Sequence, residues 1–182
     1  TADAASWNHN KALILNAGNE YRKFETLDVT HTTMGIESVE WDGKDYHANV
    51  WTDEPRTNYV YDEDANGAFY IRNSDNREND VTTEYVIVNF RLKANRQNND
   101  IFINANWTND RFLDKYKMVY DPATELYTAS IKLKQGYYSY QYLSLDSEGK
   151  AHPLASEGNF FQTENMYQAL VYYRGSGQRT YQ

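Results

Sequence analysis

The stretch IKLKQGYYSYQYL, residues 131–143, decides the class of fold. Ile131 and Leu133 alternate with Lys132 and Lys134, and beyond Gln135-Gly136 the residues Tyr138, Tyr140 and Tyr142 share one parity. Successive side chains of a strand point to opposite faces, so alternation on both sides of a glycine-containing break predicts two strands joined by a tight turn. The three-tyrosine face is expected to look into a core, with some hydroxyls reaching partners or the sheet edge. Gly136 is expected at a positive φ, where a residue without Cβ escapes the steric penalty.

Upstream, Tyr127 and Ala129 continue the parity of Ile131, and Val86, Val88, Phe90 and Leu92 repeat the pattern. Residues 100–104 and 116–120 read as short strands, the second turned at Asp121-Pro122. In the first half, residues 12–15 and 21–29 read as strands. Asp42-Gly43 predicts a hairpin between residues 36–40 and 45–52, because a type I′ turn needs positive φ at both central positions. Asn66-Gly67 predicts a second hairpin within residues 58–72, and residues 166–174 a last strand. The apolar-free run NSDNREND, residues 73–80, predicts a long loop or domain boundary. No repeat of fixed period is present. Short strands between turn signals, with no 3.6-residue apolar stripe, predict an all-β protein of two immunoglobulin-like β-sandwich domains, residues 1–80 and 81–182.

Composition narrows the function. The 182 residues include 17 tyrosines and 3 prolines, and the net charge is −8. Acidity with dispersed Lys and Arg argues against a nucleic-acid groove or an anionic membrane surface. Mean hydropathy is −0.87, and no apolar run reaches the length of a bilayer span. With no cysteine, disulfides, thiolate metal sites and cysteine nucleophiles are excluded. Thr1-Ala2-Asp3 is not a signal peptide, and the chain is expected to begin partway through a longer protein, with the first domain truncated.

Few motifs carry chemistry. Asp62, Asp64, Asn66 and Gly67 match the start of an EF-hand calcium loop, but position twelve is Asn73 and the flanks read as strands. An acidic hairpin tip is the better reading. His9, His31, His47 and His152 show no metal-ligand spacing. No nucleophile elbow, P-loop or dinucleotide fingerprint occurs, and nothing singles out a carboxylate pair for glycoside hydrolysis. No metal, cofactor or catalytic residue is therefore expected. Trp107 leaves two readings open: a cap on one end of the core, or an exposed ring for stacking on a sugar.

Two resemblances follow. Residues 85–153 resemble the early-set immunoglobulin-like modules that bind glycogen and starch, through FINANW ending at Trp107, Met118 before a turn, LYTASIKL and KQGYYSYQYL. That resemblance implies a glucan-contacting role for Trp107, although residues 147–153 lack the second aromatic that often accompanies it. The longer resemblance rests on AGNEYRKFETLDV (residues 17–29), DANGAFYI (64–71), LKQGYYSYQY (133–142) and EGNFFQTENMYQALVYYR (157–174). These blocks are similar to the plug protein family of the type IX secretion system of Bacteroidota. It implies a non-enzymatic periplasmic accessory at the outer membrane, whose partner is the translocon barrel protein. The loop positions Gln135, Gly136, Tyr137, Gly158, Asn159, Phe160 and Phe161 are the expected partner interface. A carbohydrate-binding module using Trp107 is the alternative.

Overall fold

The structure, a computed structural model, describes residues 15–167, 170, 172–174, 176, 177 and 179. It is an all-β arrangement of two five-stranded sheets. The first sheet is built on a long strand, and numbering in chain order gives β1 (Arg22–Thr26), β4 (Phe69–Ile71), β6 (Asp100–Asn104), β9 (Gly136–Leu145) and β10 (Ala151–Pro153). All four others pair antiparallel with β9. β6 and β4 meet end to end, where the Asn106 amide donates to the Gly67 carbonyl (2.9 Å). The second sheet has the order β2 (Ile36–Trp41), β3 (Tyr46–Val50), β5 (Tyr85–Lys93), β8 (Leu126–Lys134), β7 (Val119–Asp121). Its β3–β5 contact is parallel and the others antiparallel.

Alternation sets the inner faces. Val86, Val88, Phe90 and Leu92 of β5 are buried, as are Tyr138, Tyr140 and Tyr142 of β9. Phe24 from β1 joins them, stacked on Tyr138 (5.2 Å between centroids) and edge-on to Phe90 (5.5 Å). These ring contacts bridge the two sheets. Among the described residues no helix is long and apolar enough to cross a membrane. One short helix, α1 (Asn79–Thr82), interrupts the predicted 73–80 loop.

The structure corrects several expectations. A division near residue 80 does not separate two cores: Phe24, Ile36, Ala48 and Val50 belong to the same apolar cluster as Val88, Phe90 and Tyr140. Strands from both sides of residue 80 sit in each sheet, because β1 completes an edge of β9 and β3 completes an edge of β5. The two strands of the opening stretch do not form a hairpin either. β8 and β9 lie in different sheets, and Gln135 is the corner between them. Gly136 is not among the glycines at positive φ. It is required because a Cβ there would stand 2.3 Å from the Tyr70 carbonyl oxygen, across the β4–β9 pairing.

The Asp42-Gly43 hairpin forms, with Gly43 at φ 98°. At Asn66-Gly67 both residues take positive φ, but only β4 on the far side is a strand. Residues 58–62 run past without pairing. The segment 116–120 becomes a 3₁₀ turn (Asp114–Tyr116) followed by β7. Residues 12–14 of the first expected strand lie outside the described residues, and Leu15 is not in a strand. Of the expected last strand, residues 168, 169 and 171 lie outside the described residues and the rest are not in a strand.

Candidate functional site

Burial divides the expected interface residues. Gln135 is 4% exposed and works as a bracket. Its amide oxygen accepts from the Glu84 backbone amide (3.0 Å), its amide nitrogen donates to the Leu27 carbonyl (3.3 Å), and its backbone joins Glu84 and Arg72. Gly136 is buried and Tyr137 half-buried. Gly158, at φ 81°, ends a 3₁₀ turn (Ala155–Glu157), and the Asn159 side chain accepts from the Gly18 amide (3.0 Å). The Phe160 amide donates to the Gly18 carbonyl, and its ring faces Tyr59 (6.1 Å). Phe161 stands almost free in water, 89% exposed. The 135–137 corner is thus structural, while Asn159 and Phe161 remain open to a partner.

Trp107 is a core residue. It is 9% exposed, stacks on Phe90, meets Tyr116 and Tyr138 edge-on, and its Nε1 donates to the Ser139 carbonyl (3.1 Å). The indole lies inside the core just past the end of β6, where its Nε1 reaches the β9 backbone at Ser139. It offers no open face to a sugar ring. Trp107→Phe is expected to cost about 1–2 kcal/mol, through a smaller ring and the lost Nε1 hydrogen bond, and to leave glucan retention in affinity electrophoresis at the background level. Glucan retention by the native protein that Trp107→Phe abolishes would reverse this assignment.

The calcium-like acids are also engaged. Asp62 pairs with Lys23 (2.6 Å), and Asp64 accepts the Asn66 amide (2.6 Å) and the Tyr21 amide. They pin the segment before the Asn66-Gly67 turn to the start of β1. His31, His47 and His152 each face a local aspartate, Asp28, Asp42 and Asp146. His9 lies outside the described residues.

The strongest electrostatic feature was not singled out from the sequence. Arg22 shares the inward parity of Phe24 on β1 and is 8% exposed. Its guanidinium binds Asp53 (2.9 Å), Glu157 (3.1 Å) and the Glu54 carbonyl (2.9 Å). The other Asp53 oxygen accepts from the Tyr140 hydroxyl (2.8 Å) and the Tyr142 hydroxyl (2.7 Å). Burial opposes the Arg22 charge, but Asp53 and Glu157 outweigh it and raise the guanidinium pKa. Burial raises the Glu157 pKa against the pull of Arg22 and Arg56. Two carboxylates on one arginine, with every Asp53 oxygen occupied, make a clamp that ties β1, β9 and two loops together.

Burial first, and the Asp53 carboxylate second, push the Tyr140 and Tyr142 hydroxyls well above their ordinary value of 10.0. The native state therefore holds two protons that the unfolded chain releases in alkali. The contribution of these two groups to stability is fully present below about pH 10 and is lost above it, by about 1.4 kcal/mol per pH unit for each tyrosine. Absorbance at 295 nm and far-UV circular dichroism, followed together from pH 9 upward, should show these two phenols ionising only as the strands melt. Ionisation of every tyrosine in a folded protein would contradict it.

The open surface lies elsewhere. A cleft of about 570 Å³ is lined by Glu20, Asp62, Glu63, Asp64 and Glu164, with Tyr61 and Met166 among its walls. Met166 in its wall is 86% exposed, and Val60 beside it is 73% exposed. Tyr167, Leu170, Tyr172 and Tyr173 further along the chain are exposed too. The neighbouring carboxylates, Glu164 foremost, raise the Tyr61 pKa, and a hydrogen bond to Glu20 raises that of Tyr59 to about 12. These exposed residues fall in two segments expected as strands, residues 58–72 and 166–174, and where they are described they are in no strand.

No family model matches the chain, and no curated protein matches it. Among solved structures, it is similar to the crystal structure at 2.30 Å resolution of a hypothetical protein from Parabacteroides merdae. The TM-score is 0.79 and the identity 33%, over 90% of this chain and 42% of that one. The two share this fold over a region that is less than half the length of the Parabacteroides merdae chain.

Proposed function

We propose that the protein is a non-enzymatic periplasmic accessory at the outer membrane, resembling the plug that occupies the periplasmic mouth of the type IX translocon barrel when no substrate passes. The observation that carries this reading is the set of large side chains left in water, with Phe161 at 89%, Met166 at 86% and Val60 at 73% exposure. Apolar groups exposed to this extent mark interaction surfaces, and tyrosine supplies contact area with few rotors to freeze. The adjoining acidic wall keeps such a surface soluble and steers it towards a basic partner. The finer fold reading belongs here as well. An early-set immunoglobulin-like sandwich is supported by the antiparallel β5–β8 and β6–β9 pairs in facing sheets.

The test is crosslinking and pulldown from outer membranes with the tagged full-length protein, identified by mass spectrometry. Recovery of a giant barrel protein, lost when a jammed substrate fills the pore, is the expected result. Phe161→Ala combined with Tyr167→Ala should lower the yield roughly fivefold or more. Recovery of no barrel protein overturns the reading.

A further inference from the structure

A second cleft, of about 530 Å³, opens between the loop after β5, the turn from β7 to β8, and residues 154–156. Pro55, Tyr120, Leu126 and Leu154 give it apolar walls, and its charged lining is Lys93, Arg96 and Glu125. Lys93 is paired with Glu54 (3.4 Å), which does not line the cleft. Arg96 is different. Its guanidinium carbon stands 5.8 Å from the centroid of the Tyr120 ring, and among the described residues its N–H groups have neither a carboxylate nor another protein acceptor.

The loop that carries Arg96 is held in place. The Gln97 amide donates to the Tyr127 hydroxyl (2.7 Å), and the Gln97 side chain donates to the Asn95 carbonyl (2.9 Å). Tyr127 in turn packs against Tyr120 (4.9 Å between centroids). Arg96 is thus a cation set over an aromatic wall, with its donors unspent, at the rim of a cavity of ligand size. A guanidinium presents parallel N–H groups that match a carboxylate in a bidentate pair.

We propose that this cleft binds a small organic carboxylate with a flat apolar body. Arg96 grips the carboxylate, while Tyr120, Leu126 and Leu154 pack the body. Glu125 on the rim opposes a second negative charge, which favours a monoanion over a phosphate dianion. The site does not use the exposed residues of the proposed partner surface and does not depend on that reading.

The probe is 2-naphthoate, titrated into the isotope-labelled protein and followed by amide chemical shifts. Saturable shifts concentrated on residues 93–97, 120–126 and 154–156 are expected. Arg96→Ala should weaken binding about tenfold or more, and Arg96→Lys, which keeps the charge but not the fork, should fall between. Neutral 2-naphthamide should bind about tenfold more weakly than the acid, and 2-naphthyl phosphate more weakly than the carboxylate. Because Arg96 is exposed, the spectrum of Arg96→Ala itself reports an intact fold. Scattered or non-saturating shifts, undiminished binding by Arg96→Ala, or equal binding of the amide overturns the proposal.

Discussion

Asp53→Ala is expected to destabilise the fold by about 3–5 kcal/mol, the loss seen when one partner of a buried ion pair is removed. Asp53 neutralises Arg22 and accepts from Tyr140 and Tyr142 at once. Its removal leaves a largely buried guanidinium with Glu157 as its carboxylate partner, and two buried phenol hydroxyls without their acceptor. Asp53→Asn keeps an acceptor of similar shape and should cost less, while losing the charge. Backbone hydrogen bonds hold Asp53 beside β5, where its amide donates to the Arg91 carbonyl (2.8 Å) and its carbonyl accepts from Lys93 (2.9 Å). The clamp therefore has little room to relax around the cavity. Urea unfolding of the three proteins measures the order native, Asn, Ala, and an alanine variant as stable as the native protein would refute the clamp.

Gly136→Ala should cost about 1–3 kcal/mol or more, by overpacking. The new methyl would meet the Tyr70 carbonyl oxygen at 2.3 Å and the Ile71 Cα at 3.1 Å, both backbone atoms of the neighbouring strand. Neither can swing aside as a side chain would, so β4 must part from β9. Gly149→Ala is the contrast: φ is +79° but nothing lies within 4 Å, so its cost is conformational, about 1–2 kcal/mol. Weakened hydrogen-exchange protection at residues 69–71 in Gly136→Ala, and not in Gly149→Ala, identifies the steric origin. Full protection there would place the close approach in error.

Much of the β architecture was legible because the signal is local. The alternation at residues 86–92 and 138–142 fixes which side chains face inward whatever sheet they join, and these residues are buried. Asp42-Gly43 makes its hairpin for the same reason: the turn chemistry lies within the two residues. Long-range pairing was not legible. Nothing in IKLKQGYYSYQYL distinguishes a hairpin from a corner between sheets, since both need alternation on each side of a break. The choice was made by Glu84, Leu27 and Arg72 closing on Gln135, residues between 51 and 108 positions away.

The candidate sites divide along the same line. Gln135 and Gly136 were expected at the partner interface, and burial makes them structural; of the two readings of Trp107, burial selects the cap on the core. Arg22, Asp53 and Glu157 carried no motif. Their one trace was an arginine on the parity of Phe24, facing tyrosines whose hydroxyls need acceptors. By itself the sequence determined an all-β chain, the inward faces of its long strands and its acidic surface, because composition and period-two alternation act through near neighbours. Tertiary structure alone decided that residues on both sides of position 80 share one core, that an arginine is neutralised inside it, and which aromatics stay in water. Those outcomes depend on which strand edges meet, and edges carry the same N–H and C=O groups in every strand.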